Sequence, residues 1–583
     1  MALDIDSQLP LLTEEWLTSR TFTFYIHDGA QALSETFLFH TKGFILGYGD
    51  TKAAFWEHDG DAVHLLDVNG KITCRMTLLM SKTGSPLLAG LLRDPQANYE
   101  ETETVQVLFD NGSDYHTRIQ SFDMFDTLVA RRCFDPREVF RQVEIKSGIE
   151  NFASRRHLVE MSIFGRRPYG IDDIYAMLID EKLLTERQAE IVKAMELEEE
   201  WDQLIPMAQM VAFVNPDDII ISDMYLPQAF LERVLREKCG LNNKLYLSNY
   251  GKHHRLIWPM IASNHRLRTH YGDNPHADVA SPQSFGIPSQ LVTISKWERT
   301  EEILHHVGLA PYAHVIREER LKGFHRDAKI RNALHAQVRI NYPMMLLAGH
   351  WLAHVARDFG ATRILAAARD CTMLHRLLSS AHFIRHGMPP VRYIRISRTL
   401  CYSESSAYEA YIRREAGGER TLLADFVGSG KSLLNLVDGA GLRGQVKPCI
   451  IVGENPELVP EAANIEAFIR RNFFGYRIYV EALNASLEGS AVSAGDDDGR
   501  LVVDTQPNEF TEEMKAIVVE MQKAFDGFLA AIANLPPLTA IPPLHILRAG
   551  AEAIAELIPA SAFRLESLAE GQGRALRRGE ALR

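Results

Sequence analysis

Polar side chains able to do chemistry stand at the ends of four apolar runs or just beyond them. Asp123 closes "IQSF", Ser222 and Asp223 follow "DIII", Asp273 closes "LRTHYG", and Lys252 lies in the loop after "KLYLSNY". Open parallel sheets bind ligands at the carboxyl ends of their strands, where loops and helix N-termini converge. Two carboxylates facing one another there repel, which makes a divalent cation with oxygen ligands, Mg²⁺, their natural partner. Ser222 and Lys252 would hold an anionic group against that metal, and Asp123 would be a nucleophile towards an electrophilic phosphorus or carbon. Taken singly, an Asp at a strand end is a turn former or a helix cap. The order of the four is what points to chemistry.

The elements needed to position them are legible from 118 onwards. Short apolar runs alternate with long helical stretches, the pattern of α/β units on a parallel sheet. The expected strands are "RIQSFDMF", "DIIISDM", "KLYLSNY" and "LRTHYGD", and the helical block from "DPREVFRQVEIKSG" to "AMELEEEWDQLIPMAQMV" is an insertion able to act as a lid. A second set follows from about 325, with strands "RILAAARD", "VRYIRIS", "TLLADFVGSG" and "KPCIIVGE". Before both, residues from about 20 to 115 alternate apolar and polar positions, and Asp59-Gly60 and Asn69-Gly70 read as hairpin turns, predicting a small antiparallel β domain. After 480 the stretch "GSAVSAGDDDGR" reads as a loop, followed by a helical, proline-interrupted end and a basic, solvated tail, "RALRRGEALR".

A chain of 583 residues exceeds a single core. The expected domains are 1–116, 117–310 with a helical cap at about 135–210, 325–485, and an extension over 486–583. A formal net charge of −13 argues against general nucleic-acid binding. The six scattered cysteines form no C-x-x-C pair and the start shows no signal peptide, so a cytoplasmic protein with reduced thiols is expected. "NYPMMLLAGHWLAHVARDFG" is the nearest approach to a membrane span, but Asn341, His350, His354 and Arg357 make it a buried helix. The histidine pairs His253-His254 and His305-His306 offer no dependable zinc spacing.

The motifs "FDMFDTLV", "IIISDMYLP", "SNYGKHH" and "YGDNPHADV" resemble, in order, those of the haloacid dehalogenase-like hydrolase superfamily. That resemblance implies a Rossmann-like parallel sheet over about 118–300 with a helical cap that closes the site to water. It makes Asp123 nucleophile and Mg²⁺ ligand, Asp273 a second ligand, and Ser222 and Lys252 the grip on the transferred group. Asp278 would belong to the metal site, orienting its shell or Lys252. Phosphatases of the superfamily carry an acid two residues after the nucleophile, and here that residue is Phe125. Asp126 comes one residue later, either as a relocated acid in the catalytic set or as a cap for the turn. Dehalogenases of the superfamily also lack the acid. Yet the D-x-F-D-T-L pattern is similar to a branch of predicted hydrolases, so the expectation is Mg²⁺-dependent hydrolysis of a phosphorylated sugar or nucleotide-like metabolite, with dehalogenation as the alternative.

A second constellation is "LLADFVGSGKSLLNLV". A P-loop requires glycine where Asp425 stands, so the Walker pattern fails. The loop still has the physics of phosphate binding, with the amides of Gly428, Ser429, Gly430, Lys431 and Ser432 opening a helix. An acid followed by such a loop resembles type I phosphoribosyltransferases, with Asp425 as the first of two acids and Phe426 replacing the second. Upstream, Arg369 and Asp370 fall where that family contacts diphosphate. The resemblance implies a transferase, or a domain that binds phosphoribosyl diphosphate or a nucleotide, accompanied by a degenerate hydrolase site. A plain tight turn in a doubly wound domain is the bland alternative.

Overall fold

The computed structural model describes residues 12–558 apart from 27–31, 42, 49–51, 82–84, 95–97, 112–118, 404, 472–473, 498–499 and 509; the basic tail lies outside the described residues. The chain divides into two compact units, Met1–Lys296 with Leu321–Arg331, and Trp297–Arg320 with Asn332–Arg583.

The first unit begins with helix α1 (Glu14–Thr18) and eight strands: β1 (Phe22–Ile26), β2 (Ser34–Phe39), β3 (Ile45–Leu46), β4 (Phe55–His58), β5 (Val63–Leu66), β6 (Ile72–Met80), β7 (Pro86–Asp94) and β8 (Glu100–Asp110). They form one antiparallel sheet in the order β3-β2-β1-β8-β7-β6-β5-β4. Both expected hairpins are present, and Gly60 and Gly70 take the positive φ, +95° and +76°, that such turns require. Alternation along the strands buries Phe22, Phe24, Phe37, Phe39, Val63 and Leu65 in one cluster.

The chain then enters a five-stranded parallel sheet, β13-β12-β9-β14-β15, built from β9 (Ile119–Phe122), β12 (Ile219–Ser222), β13 (Lys244–Leu247), β14 (Leu267–Gly272) and β15 (Ser289–Leu291). All four runs expected as strands are strands. Just beyond β9, β10 (Val129–Arg131) pairs antiparallel with β11 (Leu204–Pro206). Helices α2 (Glu138–Ser147), α3 (Phe152–Ile163), α4 (Ile171–Asp180) and α5 (Glu186–Gln203) lie between these two strands in sequence, so the helical insertion leaves and rejoins the chain through this short ribbon. Its interior holds Arg156, which has no exposed surface and ion-pairs with Glu196 at 2.7 Å and Glu160 at 2.8 Å. Helices α6 (Ala208–Val211), α7 (Gln228–Cys239) and α8 (Trp258–Asn264) connect the remaining strands.

The second unit holds another all-parallel sheet, ordered β17-β16-β18-β19-β20: β16 (Arg363–Ala367), β17 (Val391–Ile394), β18 (Thr421–Gly428), β19 (Val446–Gly453) and β20 (Glu466–Arg470). Helix Tyr342–Phe359 is buried along most of its length, and Trp351 stacks on Phe468 with ring centres 5.2 Å apart. Among the described residues no helix is long and apolar enough to cross a membrane. The stretch read as a loop differs: Ala491–Asp497 and Arg500–Thr505 pair as an antiparallel hairpin, β21 and β22. Its glycines and aspartates mask a ladder that backbone hydrogen bonds hold irrespective of side chain. The proline-interrupted end is helical, as expected, over Glu512–Ala533 and Leu544–Glu556.

The protein is therefore mixed α/β, with parallel sheets behind an N-terminal antiparallel sheet.

Candidate active site

The central strand β9 delivers Asp123 to the carboxyl edge of the first parallel sheet, and its backbone N–H donates to the Tyr271 carbonyl of neighbouring β14 at 2.7 Å. Immediately afterwards the chain folds back on itself. Leu128 N–H and Val129 N–H both donate to the Met124 carbonyl, and Asp126 N–H donates to Val129 O at 2.6 Å. This turn puts Asp126 in the left-handed region, φ 55°, which Asp tolerates better than most residues. The Thr127 hydroxyl inside it is buried and finds no hydrogen-bond partner.

Lys252 is the hub of the site. Its side chain is 3% exposed, and its Nζ lies 2.5 Å from Asp123 Oδ1, 2.5 Å from Asp278 Oδ1 and 3.2 Å from the Ile221 carbonyl. The loop that carries it is pinned by Asp223, whose two oxygens accept from Lys252 N–H at 2.9 Å and His253 N–H at 3.0 Å. Asp223 thus anchors one strand's loop to the end of another.

Asp278 is held from every side. Besides Lys252, its Oδ1 meets His270 Nε2 at 3.3 Å and its Oδ2 accepts from Asn274 N–H at 3.0 Å. His270, wholly buried, also has Nδ1 2.8 Å from Ser121 Oγ. Burial lowers the His270 pKa against the pull of Asp278, and Nε2, facing that carboxylate, is the ring nitrogen placed to donate. Gly272 is required by this packing, because a Cβ there would stand 2.3 Å from Asp278 Cγ. Asn274 opens the Pro275–Ala280 turn by accepting from His276 N–H and Ala277 N–H, which fixes where Asp278 falls.

Electrostatics divide the three acids. Burial would raise Asp278, but Lys252 and then His270 outweigh it and hold the carboxyl below its ordinary range. Burial pushes Asp123 well up against the pull of Lys252, with Asp278 and Asp273 adding to the rise. Asp273 is pushed up to about 7 by burial, then by Asp126 and Asp278. Lys252 stays charged, since burial is outweighed by the two carboxylates. One ammonium thus serves more carboxylates than it can neutralise, and ligand oxygens of Asp123, Asp273 and Asp278 lie within 4.8 Å of one another. That surplus of negative charge fits a divalent cation.

These groups line a cavity of about 250 Å³ together with Phe125, Asp126, Ser222, His253 and His254. All the residues singled out in the first constellation therefore meet. Ser222 ends β12, buried, on the wall of the cavity. Phe125 lies with its ring centre 5.0 Å from the Arg131 guanidinium. The sequence reading missed His270, whose signal is a lone imidazole in an apolar strand two residues before Gly-Asp. It also missed Asn249 and gave Asp223 only a strand end.

In the second unit, β16 and β18 are neighbours, so Arg369 and Asp370 after β16 stand at the same sheet edge as the glycine loop after β18. The Ala368–Arg369 peptide is cis. Asp425 lies within β18, where its carboxylate accepts from Phe426 N–H at 2.8 Å; burial pushes it up to about 7, with Glu481 adding to the rise. Gly428 and Gly430 have φ of +149° and +78°, and a Cβ on Gly430 would lie 1.8 Å from Ile465 Cδ1. Helix Lys431–Gly439 starts there, with Ser432 in its first turn and the Ser429 hydroxyl accepting from Lys431 N–H. Lys431 itself pairs with Glu461 at 3.0 Å.

Compared with models of known protein families and with curated proteins, the chain matches none.

Proposed function

We propose that the first parallel sheet carries a haloacid dehalogenase-like phosphohydrolase site, with Asp123 as nucleophile and Mg²⁺ held by Asp123 and Asp273. The observation that carries this reading is Lys252, whose ammonium bridges Asp123 and Asp278 at 2.5 Å each, beside a third acid, Asp273. Asp278 has both oxygens engaged by Lys252, His270 and Asn274, so it positions the lysine and supports the metal from behind. Mg²⁺, when bound, neutralises charge on the phosphoryl oxygens.

In this mechanism Lys252 and Ser222 grip those oxygens. An Asp123 oxygen attacks phosphorus as the bond to the leaving oxygen breaks, giving an aspartyl-phosphate, and water then releases phosphate and restores the carboxylate. Asp126 raises the Asp273 pKa, so its charge adds to the negative field that draws the cation. The substrate is a small phosphorylated metabolite, sugar or nucleotide-like in class. The same site could displace halide, but the lysine, serine and acid grouping suits a phosphoryl group better. The six cysteines are all unpaired thiols, in keeping with a cytoplasmic protein.

The test is Mg²⁺-dependent phosphate release from a panel of phosphorylated sugars and nucleotides, wild type beside Asp123→Asn. Turnover that falls by roughly 10³ or more in the variant supports the nucleophile. Turnover that survives the substitution rules Asp123 out.

A second reading concerns the other unit. The adjacency of Arg369 and Asp370 to the Asp425 loop favours a phosphoribosyltransferase-like site for phosphoribosyl diphosphate or a nucleotide. Millimolar ligand that fails to bind, or binds Asp425→Ala equally well, counts against it.

A further inference from the structure

The catalytic cavity adjoins a larger groove of about 630 Å³, and Tyr169, Met224, Asn249 and Tyr250 line both. Tyr225 and Tyr246 complete an aromatic lining, while Leu256 and Met260, 64% and 42% exposed, also line the groove.

The aromatic walls are fixed in place. Buried Arg156 lies 5.2 Å from the centre of the Tyr225 ring and pairs with Glu160, which accepts from the Tyr169 hydroxyl at 3.3 Å. Tyr169 and Tyr225 are nearly parallel, 21° apart, with centres separated by 5.9 Å. On the cavity side Tyr250 stacks with His254 at 3.9 Å. Tyr169 N–H donates to Asn249 Oδ1 at 3.1 Å, which sets the amide's orientation, and Asn249 Nδ2 is left buried with no acceptor. A buried donor without a partner costs about 1–3 kcal/mol, which an acceptor on a ligand would relieve.

The leaving group's chemistry follows from what the groove lacks. Phe125 occupies the position of the acid, and the groove's ionisable lining consists of its tyrosines and Asp172, which is 82% exposed and paired with Lys193 at 2.9 Å. The groove therefore offers a departing oxygen neither a buried carboxylic acid nor an imidazole. Departure without such an acid is slow for an alkoxide and fast for a phenolic or phosphoanhydride oxygen.

We propose that the groove receives a planar aromatic group on the leaving side of the substrate, whose phosphoryl group is carried on a phenolic or phosphoanhydride oxygen. This rests on the phosphohydrolase reading above. Asp123 forms the new bond to phosphorus as the bond to the leaving oxygen breaks, and that oxygen keeps the electron pair, as an aryloxide or as the phosphate of a nucleoside monophosphate. Flat rings cover tyrosine faces well, and the stacking adds about 0.5–1.5 kcal/mol to the area buried. A hydrocarbon chain would leave Asn249 Nδ2 without an acceptor.

Two measurements on the full chain separate this proposal from the reading it rests on. The first is calorimetric binding of 2-naphthol and of AMP to wild type, Met260→Trp and Leu256→Asp, both substitutions being at exposed positions that the fold tolerates. The second is Mg²⁺-dependent turnover of 2-naphthyl phosphate, phenyl phosphate, ADP, acetyl phosphate and glucose 6-phosphate. One of the two ring compounds should bind wild type and lose about tenfold or more in both variants. Its phosphorylated form should exceed glucose 6-phosphate in kcat/KM, and 2-naphthyl phosphate should exceed phenyl phosphate if the source is an aryl ester. Preference for ADP instead identifies a nucleoside diphosphate. Turnover of acetyl phosphate with no ring binding, or glucose 6-phosphate processed as fast as either ring compound, overturns the groove assignment and leaves the phosphohydrolase standing. Ring binding without turnover of any compound overturns both the hydrolase and the leaving-group role.

Discussion

Each parallel sheet presents an acid from an interior strand, Asp123 buried and Asp425 half-buried, and the two live in opposite surroundings. Asp123 has Lys252 at 2.5 Å, while Asp425 has only the Phe426 amide as its recorded hydrogen-bond partner and Glu481 as a like-charged neighbour. Both are pushed upward by burial. The shift has the same direction in both, so the difference lies in the partners: Asp123 faces an ammonium that stays charged, whereas Asp425 faces a backbone amide and a like charge. Under the proposed reading Asp123 would attack phosphorus and Asp425 would hydrogen-bond a hydroxyl-bearing ligand.

Removing the hub should erase the distinction most forcefully. Lys252→Met strands Asp123 and Asp278 in a buried pocket, and loss of one partner of a buried pair costs about 3–5 kcal/mol. Denaturant titration monitored by hydrogen exchange over 119–278 should show that loss, together with loss of turnover. A variant as stable as wild type would mean that the ammonium is not holding the two acids.

The complementary experiment acts on pH. Burial pushes Asp425 up to about 7 in the folded chain from an ordinary 3.8, so the folded state binds the extra proton between those values. Its contribution is fullest below the unfolded value and is lost as pH rises through 7, on the order of a few kcal/mol. Asp425→Asn should flatten the pH dependence of the second unit and make it more stable than wild type at pH 8. An unchanged profile would show that the carboxyl is solvated.

Two smaller effects sharpen the first site. Phe125→Asp restores the missing acid and should raise kcat for glucose 6-phosphate by about 10- to 100-fold, less for 2-naphthyl phosphate. Asp126→Asn removes the second contributor to the Asp273 shift, and the Asp273 midpoint, followed by carboxyl NMR, should fall below about 7. A midpoint that stays put would place the Asp126 charge too far from Asp273 to act on it.

Most of the scaffold was legible because its strands end abruptly in polar residues. "DIII" before Ser222 and "LRTHYG" before Asp273 announce both a strand and a ligand edge. Strand β15 was not legible: three residues, "SQL", at the sheet edge and largely exposed carry no apolar run. The β21–β22 hairpin hid behind glycine and aspartate, whose turn propensity the backbone ladder overrode. In the site, side chains that terminate strands or follow them closely were read directly. His270 and Asn249 act through partners far away in sequence, Ser121 for one and Tyr169 for the other, and no local pattern encodes such pairings.

The β10–β11 ribbon has a genetic consequence. Everything between its strands, residues 132–203, enters and leaves the first unit at two hydrogen-bonded crossings, and neither crossing belongs to the parallel sheet. No strand of the parallel sheet lies in that stretch, so its exchange would alter no pairing of that sheet. Phe164, Gly165 and Tyr169, which line the cavity, would be exchanged with it, while the acids and the lysine lie outside it.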